Sequence, residues 1–238
     1  MKKNKTLVAI VCLAAGPAMA QDGNQGPWQG DAELGVVVTA GNTETKNINA
    51  KTKVAYEKDS WRHQGRLEML RNSDGGDITA EKYLANAKTE YNFTEHNYAF
   101  VNLNYENDRF SGYDYRVSGA AGYGRRLINR DDLQLDVEVG PGARRSRLKG
   151  DGTQTELLGR GAGNLEWKIS KTSVFSQELS VEAGEEQTIT RSMTALKSQV
   201  AGALSMKLSL TVQNATGVPA GVKNTDTETA VTLVYSMF

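Results

Sequence analysis

Side chains that could carry acid–base or nucleophilic chemistry are scarce in this chain of 238 residues, which holds two histidines and one cysteine. A serine hydrolase would need a histidine base within hydrogen-bond reach of its nucleophile, and only His63 and His96 are available. Both lie in or beside predicted turns, where a structural role is the commoner one. No Gly-x-Ser-x-Gly segment, the usual nucleophile turn, occurs in the sequence. We therefore expect no enzyme activity.

Metal and cofactor sites are equally poorly supported. Two distant histidines and one cysteine do not make a usual zinc site. Asp74 with Asp77, or Asp151 with Glu156, could hold calcium in a loop, although acidic residues next to glycine more often form turns. We expect no metal and no cofactor.

The densest basic segment consists of Arg144, Arg145, Arg147 and Lys149. It falls in the longest predicted loop, from Pro141 to Gln154. Arginine side chains bind phosphate in a forked geometry. The segment is thus a candidate contact for lipopolysaccharide phosphates, and a solvated loop without a ligand is the alternative.

Residues 1–20 have the pattern of a cleaved secretory signal peptide, with a basic start, an apolar core at residues 7–15 and a small-x-small site at residues 18–20. Residues 21–27 would then be a short periplasmic segment. Cleavage removes Cys12, so disulfides cannot support the mature fold. It also removes three lysines from a chain with 28 basic and 28 acidic residues, and the slightly acidic remainder argues against nucleic-acid binding.

From residue 28 onward, apolar and polar residues alternate with a period of two. Leu34 and Val36 alternate with Asp31 and Glu33, and similar segments recur twelve times. No run of about 18 apolar residues follows the signal, whereas barrel strands need only every second residue to face lipid. The sequence predicts an all-β fold, a closed antiparallel transmembrane β-barrel of about 12 strands over residues 28–238. The last three strands are expected near residues 192–204, 208–216 and 225–238.

The connections and aromatic residues predict how this barrel is oriented. Longer loops are expected after odd strands and tight turns after even ones, as in outer-membrane barrels, whose turns face the periplasm. Aromatic belts are expected at membrane interfaces. One would lie at the tight turns (Trp28, Tyr56, Trp61, Phe93, Tyr98, Trp167, Phe175) and a thinner one at the loops (Tyr83, Tyr105, Phe110, Tyr113, Tyr115). A soluble β-sandwich is the alternative, but it explains neither pattern.

The final strand ends on an aromatic residue, as the assembly signals of outer-membrane barrels do. Tyr235 and Phe238 are the candidate signal residues, and the barrel-assembly machinery is the expected partner. Counting back from Phe238 in twos misses the stronger apolar face of Val231, Leu233 and Tyr235. We therefore expect a bulge or a register offset near Ser236.

The opposite face of the strands is charged and is expected to line the lumen. Its members are Lys51, Lys53, Arg62, Arg66, Lys82, Lys88, Arg116, Arg160 and Lys168, with Glu33, Glu68, Glu90, Asp136, Glu138, Glu166, Glu178 and Glu182. The two signs nearly cancel, so any pore should be weakly ion-selective. Barrels of eight strands are filled and those of sixteen hold channels, so about twelve strands allow either a narrow pore or a lumen closed by ion pairs.

The mature chain resembles the YdiY-like salt-induced outer-membrane protein family in its Gly41-Asn42-Thr43-Glu44-Thr45 turn, its evenly spaced hairpins and its aromatic-flanked final strand. The resemblance implies a monomeric outer-membrane barrel in contact with lipid and lipopolysaccharide, and it supplies no catalytic or binding motif. The expected function is a small pore or a structural envelope protein. An outer-membrane lipid hydrolase and a surface adhesion or recognition barrel are the alternatives.

Overall fold

A computed structural model describes residues 26–39, 45–219 and 221–237 and confirms the predicted fold class. Twelve strands form one closed antiparallel barrel in which each pairs with its neighbours in sequence, and the first pairs with the last. Among the described residues, no helix is long and apolar enough to cross a membrane. The strands are β1 (Trp28–Thr39), β2 (Thr45–Lys58), β3 (Trp61–Asp74), β4 (Asp77–Asn92), β5 (Asn97–Asp108), β6 (Tyr113–Asn129), β7 (Leu133–Leu148), β8 (Asp151–Lys168), β9 (Ser173–Gly184), β10 (Thr188–Ala201), β11 (Leu204–Ala215) and β12 (Thr225–Ser236).

The period-two pattern forms these strands because successive side chains point to opposite faces of a sheet. On the outer face, Leu67, Val101 and Val139 are exposed, as expected for side chains that face lipid. Aromatic rings cluster where β1 to β4 begin or end: the rings of Trp28 and Tyr56 are 4.7 Å apart and those of Trp61 and Tyr91 are 4.8 Å apart. We call this end of the barrel, which holds residues 28 and 237, the turn end, and the opposite end the loop end.

Two aromatic residues lie on the inner face of the barrel and not in the expected outer belts. Tyr98 and Tyr113 were expected in the outer belts, but both are buried inside the barrel. Tyr98 belongs to the inner face of β5, where its ring fills the space above Gly124 on β6. Tyr113 begins β6 beside a register shift, which turns its side chain inward.

The expected alternation of long loops and tight turns is wrong. Connections at the loop end are as short as two residues, between β3 and β4 and between β7 and β8. The predicted loop from Pro141 to Gln154 is instead the paired ends of β7 and β8, whose ladder continues to Leu148 and Asp151. These strands, of 16 and 18 residues, are longer than the roughly 9–11 residues that cross a bilayer.

The ends of the last strands also differ from expectation. β10 ends at Ala201, and β11 starts at Leu204 rather than at 208. The register between β12 and β1 is constant as far as Ser236, so the bulge expected there is absent from the described residues. Leu233 and Tyr235 face outward, and Val234 is fully buried inside. Phe238 and the predicted signal peptide lie outside the described residues.

The backbones of β6 and β7 approach closely at Gly122 and Gly140. A Cβ added to Gly140 would lie 2.7 Å from the Cα of Gly122, a separation that real structures do not tolerate. The ladder has no pair for Gly122 here, and Pro141, the next residue of β7, has no N–H to donate. At Gly122 and at Gly140, only glycine lets the two strands lie this close.

We therefore expect Gly140→Ala to lower the free energy of unfolding by about 1–3 kcal/mol, because the two strands must move apart. Gly159→Ala is the matched control, since a Cβ at Gly159 meets no atom within 4 Å. Urea unfolding of both variants in the same detergent measures the difference. Equal stability of the two variants would show that the close approach of β6 and β7 does not require glycine at position 140.

Candidate functional site: the barrel interior

The structure brings most of the predicted lumen residues to one cavity of about 290 Å³ inside the barrel. Thirteen of the sixteen candidates other than Glu33 border it: Lys53, Arg62, Arg66, Glu68, Lys88, Glu90, Arg116, Asp136, Glu138, Arg160, Glu166, Glu178 and Glu182. Lys51 and Lys82 border a second cavity, of about 470 Å³. Lys168 borders neither cavity and is exposed at the end of β8. Glu33 pairs with Lys207 on the inner wall at 2.8 Å.

A row of side-chain contacts crosses the lumen. Arg66 on β3 donates two hydrogen bonds, of 2.9 and 2.8 Å, to the carboxylate of Glu178 on β9. These strands are six apart in a ring of twelve and therefore lie opposite each other. This bidentate pair, which we call the transverse bridge, spans the lumen.

Two further contacts cross the lumen beside the transverse bridge. Arg191 reaches Glu68 at 3.2 Å, and Lys82 donates to Gln213 at 3.3 Å. Glu68, Arg191 and Gln213 border both cavities, so they form part of the partition between them. The described interior is thus divided by charged side chains.

A buried carboxylate lies on the wall near the turn end. The side chain of Glu138 is fully buried and contacts the ammonium group of Lys88. It also accepts a hydrogen bond of 2.9 Å from the hydroxyl of Tyr98 and lies 3.8 Å from Arg160. Lys88 has a second partner, Glu90, at 2.9 Å. Charges buried this deeply persist only when paired and hydrogen-bonded.

The basic segment that was expected in a surface loop is divided between the two faces of β7. Arg144 is 2% exposed and donates to Glu156 at 2.7 Å and to the backbone oxygen of Gln187. Its placement in the candidate lipopolysaccharide contact is therefore wrong, because the strand alternation continues through the predicted loop and turns Arg144 inward. Arg145, Arg147 and Lys149 are exposed on the outside, near the loop end.

Sequence reasoning missed three charged residues that border the first cavity: Glu106, Arg144 and Arg191. Glu106 lies at the loop end of β5, next to Lys82 and Arg116. The period-two pattern already groups Glu106 with Asn102 and Asn104 on the polar face of the fifth predicted strand, and the same count carried through the predicted loop would have found Arg144. Arg191 was missed because β10 was placed too late in the sequence.

Neither histidine has surroundings suited to catalysis. His63 is exposed on the outer face, between the rings of Tyr56 and Trp61, and its Nδ1 lies 3.1 Å from the Thr89 hydroxyl. His96 lies in the turn between β4 and β5. No group of three histidine, cysteine or acidic side chains within the described ranges is arranged to hold a metal ion.

Comparison with known proteins agrees with this geometry. The solved NanC porin superposes with a TM-score of 0.54 at 12% identity, covering 88% of this chain and 99% of the porin. An outer membrane channel from Pseudomonas putida F1 superposes with a TM-score of 0.50 at 11% identity, covering 93% of this chain and 99% of the channel. These similarities concern the fold alone.

Sequence comparison identifies the family. The uncharacterized protein YdiY of Escherichia coli strain K12 is 29% identical over 259 aligned positions, which cover 100% of both chains. Residues 32–237 match the family described as protein of unknown function, DUF481. Because this match includes nearly all of the barrel, the chain belongs to the YdiY-like DUF481 family.

Proposed function

We propose that the protein is a narrow, weakly ion-selective pore of the outer membrane, with a signal peptide removed on export. The observation that supports this most is the unfilled space in the charged interior, two cavities of about 290 and 470 Å³, because the lumen of a closed structural barrel would be filled by side chains. The turn end would face the periplasm, because it holds both ends of the barrel chain, as the periplasmic end does in outer-membrane barrels.

Weak selectivity follows from the charges on the first cavity. Among the described residues, eight basic side chains (Lys53, Arg62, Arg66, Lys88, Arg116, Arg144, Arg160, Arg191) face eight acidic ones (Glu68, Glu90, Glu106, Asp136, Glu138, Glu166, Glu178, Glu182). A lumen without a surplus of one sign does not concentrate one kind of ion. The transverse bridge narrows the path, so we also expect low conductance.

Purified protein in planar bilayers tests this proposal. We expect small discrete current steps, and a reversal potential close to zero in asymmetric potassium chloride. A reversal potential near the equilibrium potential of either ion would contradict weak selectivity. Complete absence of current would contradict the pore and favour the second candidate, a structural envelope protein whose lumen is closed by the contacts between Arg66 and Glu178 and between Arg191 and Glu68.

The remaining roles belong to the same proposal. Arg145, Arg147 and Lys149 are candidates for contact with lipopolysaccharide phosphates from the outer surface. Asp114 lies 3.5 Å from Arg147 and therefore competes with phosphate for the guanidinium group of Arg147. Tyr235 and Phe238 would present the final strand to the barrel-assembly machinery. The barrel would act as a monomer without catalytic activity. It would act under salt stress, as the family resemblance implies.

A further inference from the structure

The seam that closes the barrel is paired over only part of its length. β1 and β12 pair at four positions, from Asp31 with Ser236 to Leu34 with Leu233. β1 pairs with β2 at twelve positions, and β12 pairs with β11 at eleven. Both seam strands continue toward the loop end, yet no ladder joins them there among the described residues. Unpaired strand edges are costly in lipid. The loop-end half of this seam is therefore the weakest part of the barrel wall among the described residues.

Pairing ends at Gly35, where the strands still touch. A Cβ at Gly35 would lie 3.1 Å from Cγ2 of Thr232. The second cavity borders Gly35 on one side of the seam and all six residues from Asp226 to Val231 on the other. The cavity therefore reaches the unpaired edge of β12.

The chemistry of this cavity combines an acidic surplus with apolar side chains. Three basic residues border it (Lys51, Lys82, Arg191), against four acidic ones whose side chains lie on the inner face (Glu68, Asp108, Asp226, Glu228). Two of the carboxylates, Asp226 and Glu228, lie on the seam strand itself. Glu228 accepts a hydrogen bond of 2.6 Å from Asn49 and lies 3.6 Å from Lys51. Leu70 and Leu84, which alternate onto the inner face, add apolar surface.

We propose that the loop-end half of the β1–β12 seam is a lateral entrance, through which an amphipathic cation passes from the membrane into the second cavity. Its charged head would lie near Asp226 and Glu228, and its apolar part against Leu70 and Leu84. The carboxylates attract the charged head of the cation, and the apolar side chains remove its apolar part from water. The entrance rests on the proposed membrane location and is independent of conduction along the barrel axis.

A disulfide across the seam tests the entrance. Continuing the register places Val36 opposite Val231, and both side chains face outward, 38% and 60% exposed. The probe is a dansyl-labelled alkyl trimethylammonium ion, added to the mature barrel in neutral lipid vesicles. We expect oxidised V36C/V231C to take up the probe about tenfold more slowly, since an unpaired stretch becomes a closed ladder, and reduction to restore the rate.

The matched control is L34C/L233C, which locks a pair already present and should leave uptake unchanged. Equal uptake by oxidised and reduced V36C/V231C would overturn the proposal. Axial conductance of the oxidised protein should stay at its wild-type value, so failure of the pore and failure of the entrance are distinguishable.

A charge variant tests the ligand class even if the disulfide does not form. We expect D226N and E228Q each to weaken binding of the cationic probe about fivefold, the effect of one unit charge at about 4 Å in water. Binding of an uncharged analogue should not change. Equal or tighter binding of a sulfonate analogue by the wild-type barrel would overturn the assignment to cations.

Discussion

Replacing Glu138 by leucine is expected to lower the free energy of unfolding by about 3–5 kcal/mol, the usual cost of removing one partner from a buried ion pair. The substitution leaves Lys88 with Glu90 alone, takes the hydrogen-bond acceptor from the hydroxyl of Tyr98, and removes one of the carboxylates beside Arg160. Urea titration of the refolded barrel, followed by tryptophan fluorescence, measures the loss.

The double variant E138L/K88M separates charge from packing. Removing both partners replaces a buried ion pair with apolar groups of similar length, which is often close to neutral in stability. We expect it to recover more than half of the loss. A double variant as unstable as the single one would show that the shape of the Glu138 side chain, and not its charge, supports the wall.

Breaking the transverse bridge is expected to change ion selectivity in opposite directions according to the partner removed. Arg66→Gln leaves the carboxylate of Glu178 uncompensated in the lumen, so the pore should favour cations about fivefold, from an interaction of about 1 kcal/mol per charge in water. Glu178→Gln should favour anions to a similar extent. Reversal potentials in asymmetric salt measure both.

The double variant R66Q/E178Q should lose both preferences and conduct more than the wild-type barrel, because the transverse bridge no longer narrows the path. The matched control is R130Q/D132N, which removes an exposed pair of 3.4 Å in the turn between β6 and β7. We expect this control to behave as the wild type does. Selectivity shifts of the same sign in R66Q and E178Q would contradict a role for the transverse bridge in the conducting path.

Most of the fold could be predicted from the sequence because it depends on a local property. Because successive side chains of a strand point to opposite faces, a period of two places Leu67 on the outer face and Arg66 on the inner face, whichever position the strand has in the barrel. The same sorting places Glu138 and Lys88 on the inner wall, where the structure has them. For Tyr98 the expected aromatic belt, and not the period, gave the wrong face, since the period places Tyr98 opposite Ala99 and Val101. The sorting failed for Arg144, because turn-forming residues around it predicted a loop where the ladder of β7 and β8 continues.

The sequence by itself thus determined the class of fold, the charged interior and the near balance of its charges. Only the tertiary structure decided which charges meet. The partner of Arg66 is 112 residues away, on the opposite wall, and that pairing depends on the number of strands and on their tilt and stagger around the closed barrel. The same global geometry ends the pairing of β1 and β12 at Leu34. No local pattern encodes these relations, because they arise only when twelve strands close on one another.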